Sequence, residues 1–340
     1  MMNVLPKMYN LQLIQAIKPS LRYDDNDDFV AWQKEARSKL AELLGLHNMK
    51  KADDDKFTVE YQKETEAYTE YRFTLQSEEG YVFPAVMRVP HGIAAPLPVM
   101  LCLQGHATGM HISLGNPVFP GDVDIISGGD RDFVVRAVKE GCIGVAIEQR
   151  NFGECGGNPE KGYPECHISS MSALLGGRTT IGERVLDTMC VIDALLSHFG
   201  FVDPERIMLM GNSGGGTATF YTAAIDERIS LAMPSCAVCT YKHSIAAIDH
   251  CVCNFIPNIA KYFDMGDISG LIAPRNLIIV NGVEDPIFPD DGVRETFELT
   301  KRLYAAAGVR DNCALVTGQG GHRFYADDAW PIVHKMMENK

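Results

Sequence analysis

The stretch RIMLMGNSGGGTATF, Arg206–Phe220, joins a short apolar run, a Gly-Asn-Ser-Gly-Gly turn and a row of small residues suited to opening a helix. As a strand, a sharp bend and a helix in succession, it places Ser213 at the tip of the bend. The spacing Gly-x-Ser-x-Gly has a steric reason, because a side chain at either flanking position would strike the neighbouring strand or helix. Such a bend pushes the Ser213 hydroxyl above the sheet and aims the following N–H groups at the same point. A plain turn that happens to contain a serine is the bland alternative, and the rest of the chain has to decide between the two.

Outward from this stretch, the region after Pro98 alternates between two patterns. Short apolar runs occur at PVMLCLQG, IGVAIEQR, ISLAMPSC, RNLIIVNG and CALVTGQG. Longer segments with helical spacing lie between them, among them DRDFVVRAVKEG, GERVLDTMCVIDALLSHFG and VRETFELTKRLYAAAG. Strands buried on both faces and joined through helices imply a parallel sheet, since parallel neighbours need crossover connections. Before Pro98, YTEYRFTLQ and YVFPAVMRVP flank SEEG and read as a hairpin. Farther upstream, DDFVAWQKEARSKLAELLGL has helical spacing, with Asp27 or Asp28 placed to cap its start and Gly45 near its end. The expected architecture is α/β, with a mostly parallel central sheet of about eight strands flanked by helices. Residues 1–55 are expected to form a helical extension packed on a catalytic domain of residues 56–340.

A serine hydroxyl needs a base, and the base needs an orienting acid. In a sheet of this kind the partners belong after later strands, acid first and histidine second. Asp285 follows RNLIIVNG and His322 follows CALVTG, so order and position both fit. Glu284, Asp290 and Asp291 are rival acids, and Asp285 before Pro286 could be an ordinary turn residue. For the developing oxyanion, Gly214 supplies the N–H after the nucleophile. The turn Gln104-Gly105-His106 after an earlier strand supplies a second, assigned to His106.

Together these residues resemble the α/β-hydrolase fold, and more narrowly the bacterial esterases grouped with acetyl xylan esterases and dienelactone-hydrolase-like proteins. The resemblance runs from about Tyr71 to His334. It rests on the QGH turn at Gln104–His106, EQRNFGE at Glu148–Glu154, GNSGGG, EDPIFP and GGHRF. Where secreted acetyl esterases of this group usually carry His-Gly-Tyr, this chain has Gln-Gly-His. The resemblance implies a serine carboxylester hydrolase working through an acyl-enzyme, with small acyl groups such as acetyl on a carbohydrate or similar alcohol as substrate. A serine peptidase of prolyl-oligopeptidase type shares the elbow and the order of the triad, but this chain lacks the length and repeats for a propeller.

Composition narrows the alternatives. A net charge of −13 over 340 residues argues against binding a phosphate backbone, which needs Lys and Arg to displace counterions. No apolar run is long enough for a membrane span. Met1–Phe29 lacks the pattern of a signal peptide, so a cytoplasmic location with reduced thiols is expected. A small-molecule ester is the expected partner, with a homo-oligomer left open. No cofactor and no metal is required by the triad. Ten cysteines nevertheless include CAVC at Cys236–Cys239 and CVC at Cys251–Cys253 beside His250, which could hold zinc in a thiolate-binding module without enzymatic activity. Packing as small hydrophobes is the preferred reading. Arg150 and the pair Glu183-Arg184 suggest buried ion pairs holding loops beneath the site.

Overall fold

A computed structural model describes residues 5–106, 108–157 and 165–338. Nine strands form one sheet: β1 (Thr58–Glu64), β2 (Tyr68–Glu78), β3 (Tyr81–Pro90), β4 (Leu97–Leu103), β5 (Ile143–Ile147), β6 (Val202–Asn212), β7 (Ile229–Ser235), β8 (Asn276–Gly282) and β9 (Cys313–Gly318). Their spatial order is β1-β2-β3-β5-β4-β6-β7-β8-β9. The pairs β1–β2, β2–β3 and β3–β5 are antiparallel, and every pairing from β5 through β4 to β9 is parallel. This is the α/β-hydrolase architecture expected from the alternation of apolar runs and helical segments.

The apolar runs are continuous because both faces of the central strands are covered. In β4, Val99 and Leu101 enter one core, while Met100 and Cys102 enter the other. The same alternation holds in β6, with Ile207 and Leu209 opposite Met208 and Met210. Helices Thr180–His198 and Gly214–Ile225 cover the first face. Helices Phe133–Lys139 and Ala326–Glu338 cover the second.

The strand beyond the expected eight is β1. All seven of its residues are exposed, and its apolar alternation is confined to Val59 and Tyr61, too short to mark a strand; pairing to β2 makes it one. Upstream, helix Phe29–Leu44 starts where Asp28 accepts from the Ala31 N–H at 2.7 Å and stops at Gly45, whose φ is +77°. Gln33 donates to the carbonyls of Gly270 and Ala273, and Arg37 to those of Ala224 and Leu271. Among the described residues no helix is long and apolar enough to cross a membrane.

Candidate active site

The site gathers at the carboxyl ends of β4, β6, β7, β8 and β9. Ser213 sits between β6 and helix Gly214–Ile225 with φ +56° and ψ −124°, a conformation that costs a non-glycine residue about 1–3 kcal/mol. Its flanking glycines are needed for the reason the spacing gave. A Cβ on Gly215 would lie 2.2 Å from the Leu103 carbonyl oxygen, and one on Gly211 would lie 2.5 Å from the backbone of Gly215. The Ser213 N–H donates to the Ser235 carbonyl at 2.9 Å, which ties the bend to the end of β7.

Asp285 lies in the turn after β8, its side chain withdrawn from solvent, and Oδ2 meets His322 Nδ1 at 2.8 Å. Its other oxygen accepts from the N–H groups of Ile287 (2.8 Å) and Phe288 (3.1 Å). Burial pushes this carboxyl upward, but the His322 hydrogen bond and charge and the two N–H donors outweigh it, so Asp285 is held below the usual carboxylate range. The rival acids are elsewhere engaged or exposed: Asp290 pairs with Arg294 at 2.6 Å, and Glu284 points to solvent. The ring of His322 stacks on Phe288 at 6.1 Å between centroids, and His250 packs edge-on against the same Phe288 ring at 5.5 Å. Among the described residues no hydrogen bond joins Ser213 Oγ to His322. Such bonds often tighten only when substrate binds.

The turn after β4 comes against the elbow. A Cβ on Gly105 would stand 2.9 Å from the Ser213 Cβ, and one on Gly214 would stand 3.0 Å from His106 Nδ1. Neither the Gly214 nor the His106 N–H hydrogen-bonds another group among the described residues. The turn itself is held firmly. Gln149 donates to the Gln104 carbonyl at 2.5 Å, the Gln104 side chain donates to Ser113 Oγ and the Arg131 carbonyl, and Thr108 donates to the Gly105 carbonyl.

Beneath the turn, the EQRNFGE loop carries two buried ionisable groups. Glu148 accepts from the N–H groups of Met110 and Glu154, and burial raises its pKa to about 8 against those two donors. Arg150 forms the ion pairs the sequence suggested, to Asp187 (2.7 Å), Glu78 (2.8 Å) and Glu183 (3.6 Å). Arg184 does not join them; its guanidinium faces sulfur atoms.

Two features escaped sequence reasoning. His250 is a third histidine of the site, held neutral by burial and by the proximity of His106 and His322, which lower its pKa to about 4. The cysteine grouping also differs from the one considered. Cys236 donates to the Arg323 carbonyl and Cys239 to that of Pro289, while Cys251 and Cys253 meet Cys166 and His106 instead.

A strained serine elbow, an Asp–His pair after the next strands and a glycine turn facing the serine define the chain as a hydrolase of the α/β-hydrolase fold. It belongs to the Abhydrolase family (Abhydrolase_7), whose model matches residues 8–328. It is 28% identical over 246 residues to YtaP of Bacillus subtilis (strain 168), named as a candidate hydrolase, covering 70% of this chain and 77% of that protein. Among solved structures, it is similar to one assigned as an acetyl xylan esterase from Bacteroides fragilis NCTC 9343. That likeness has a TM-score of 0.78 at 19% identity and covers 93% of this chain and 83% of the other. A glucuronoyl esterase from Solibacter usitatus aligns with a TM-score of 0.69 at 15% identity, covering 95% and 97% of the two chains. At these identities the structural likeness speaks to the fold.

Proposed function

We propose that the protein is a serine carboxylester hydrolase that removes small acyl groups, acetyl foremost, from a carbohydrate or similar alcohol. The observation that carries this reading is the 2.8 Å contact between Asp285 and His322 at the sheet edge that also bears the strained Ser213. Ser213 Oγ attacks the ester carbonyl while His322 Nε2 takes its proton. Asp285 holds the proton on Nδ1 and stabilises the imidazolium. The N–H groups of Gly214 and His106, which hydrogen-bond no other group among the described residues, receive the tetrahedral oxyanion. His322 then returns its proton to the leaving alcohol, and a water activated by the same ring releases the acid.

Support for the substrate class comes from the names of the similar structures, which are esterases acting on acetyl xylan and on glucuronoyl esters. Two measurements test the proposal. Ser213→Ala is expected to lower turnover of p-nitrophenyl acetate by at least about 1,000-fold, and a fluorophosphonate should label the parent at Ser213 alone. Parent-like activity in the variant would overturn the assignment, and a panel of acetylated sugars and longer acyl esters tests the preference for acetyl.

A further inference from the structure

Three sulfur atoms and one imidazole nitrogen converge beside the elbow, outside the triad. His106 Nε2 lies 2.9 Å from Cys253 Sγ and 3.8 Å from Cys166 Sγ, and Cys166 Sγ lies 3.5 Å from Cys251 Sγ. All four atoms lie within 4.8 Å of one another. They arrive from three separate places: the turn after β4, helix Glu165–Leu175 and the 251–253 segment. A tetrahedron built on Zn–S of about 2.3 Å and Zn–N of about 2.0–2.1 Å has S···S edges near 3.8 Å and S···N edges near 3.6 Å. The two S···N separations bracket their ideal edge, and the 3.5 Å S···S separation lies just inside its own.

The charge around the cluster gives a second, independent reason. Arg184 is only 2% exposed, yet none of the ion pairs among the described residues includes it. Its guanidinium lies over the Phe152 ring at 4.1 Å and donates to the Arg150 carbonyl. Its two outer nitrogens sit 3.9 Å from Cys253 Sγ and 3.9 Å from Cys166 Sγ. A buried cation needs an anion. Three neutral thiols supply none, whereas three thiolates and a neutral imidazole around a dication carry a net charge of −1, which Arg184 matches.

We propose that His106, Cys166, Cys251 and Cys253 bind one zinc ion in a closed tetrahedral site. Binding releases three thiol protons, one from each cysteine, and the imidazole ligates through Nε2 while Nδ1 keeps its proton. Four protein ligands leave no position for water or substrate, so the ion is structural. Its place gives it a consequence for the neighbouring site. The metal would clamp the Gln104–His106 turn, whose Gly105 lies against Ser213, to the helix and loop packed over it. Soft thiolates with one imidazole select zinc over magnesium or calcium. The inference goes beyond the ester-hydrolase reading and stands or falls without it.

The experiment measures metal by mass spectrometry in reduced protein purified without chelator. About one zinc per chain is expected, falling at least tenfold in Cys253→Ser and Cys166→Ser. Cys239→Ser, outside the cluster, should keep its metal. Because a ligand variant could fail to fold, the parent is also stripped and reloaded with Co2+. A tetrahedral cobalt-thiolate spectrum, with intense visible ligand-field bands and sulfur-to-metal charge transfer, is the expected signature. Folded parent that carries no metal and takes up no Co2+ overturns the proposal. So does a disulfide between Cys166 and Cys251 in the isolated protein, or metal that survives Cys253→Ser but is lost in Cys239→Ser. None of these readouts depends on turnover of an ester.

Discussion

Replacing Asp285 by asparagine changes one oxygen into an amide nitrogen and tests whether this carboxylate sets the histidine tautomer. The geometry decides which way the amide faces. Two N–H groups, from Ile287 and Phe288, converge on one carboxylate oxygen, so the asparagine oxygen takes that place and its NH2 turns toward His322 Nδ1. Nδ1 must then accept, which moves the ring proton to Nε2, where it can no longer take a proton from Ser213. Turning the amide over restores the useful tautomer but faces an NH2 against two buried donors. At about 1–3 kcal/mol for each unmade hydrogen bond, that flip costs roughly 2–6 kcal/mol. With 1.36 kcal/mol per decade, and the lost carboxylate charge beside the imidazolium added, kcat/KM should fall by about 1,000- to 10,000-fold. Stability should suffer far less. Losing one charge-assisted bond costs about 1.5–3 kcal/mol. An unfolding entropy of about 2.1 cal/mol/K per residue gives roughly 0.7 kcal/mol/K for the chain, so the melting midpoint should drop by only about 2–4 °C. The assay is hydrolysis of p-nitrophenyl acetate alongside a thermal melt, with Glu284→Gln as a control that retains activity. A folded Asp285→Asn protein working within about tenfold of the parent would refute the assignment of the acid and the tautomer reasoning with it.

Three further outcomes follow from the same geometry. Arg150→Met leaves the buried Asp187 carboxylate without its cation and should cost about 3–5 kcal/mol, read as a midpoint lowered by about 4–7 °C; an unchanged melt would show that the pair is not a structural tie. Gly215→Ala drives a Cβ into the Leu103 backbone, whereas Gly214→Ala meets only the rings of His106 and Phe152, so soluble folded yield should collapse in the first and persist in the second. Glu148 has a folded pKa of about 8 against an ordinary 4.5, so the folded chain holds the extra proton between those values and loses stability as pH rises through them. Glu148→Gln removes that slope: its stability relative to the parent should rise by a few kcal/mol between pH 5 and pH 8, and a flat difference in denaturant unfolding would contradict the buried, protonated carboxyl.

Much of the fold was legible because the parallel strands inside the sheet are buried on both faces and so print continuous apolar runs. β4 through β9 fall on the runs read from the sequence, and the triad order follows from the strands that precede each residue. β1 was not legible, since its alternation stops after Val59 and Tyr61 and its strand character comes from pairing with β2, through the backbone and the Glu60–Arg72 and Tyr61–Glu70 contacts. Helix Glu165–Leu175 stayed unread within a segment where no functional pattern was visible. His250 was seen only as a neighbour of Cys251, because nothing local says that its ring will share Phe288 with His322.

The cysteines and Arg184 show where sequence spacing stops informing. CAVC and CVC looked like two halves of one ligand set, yet Cys236 directly follows β7 at a φ of +47° and turns its thiol to the Arg323 carbonyl. The residues that meet Cys251 and Cys253 come instead from more than 80 positions upstream, on a helix and on the turn after β4. Short spacing says which residues share a loop; it does not say which loops meet. The adjacent Glu183 and Arg184 fail as a pair for a related reason. Successive residues of a helix point in different directions, so neighbours in sequence do not face each other. Within helix Thr180–His198, Glu183 turns to Arg178 and Arg150, while Arg184 turns to the sulfur atoms. Among the described residues that divergence leaves Arg184 buried without a carboxylate partner, its guanidinium over the Phe152 ring and beside the sulfur atoms of Cys166 and Cys253.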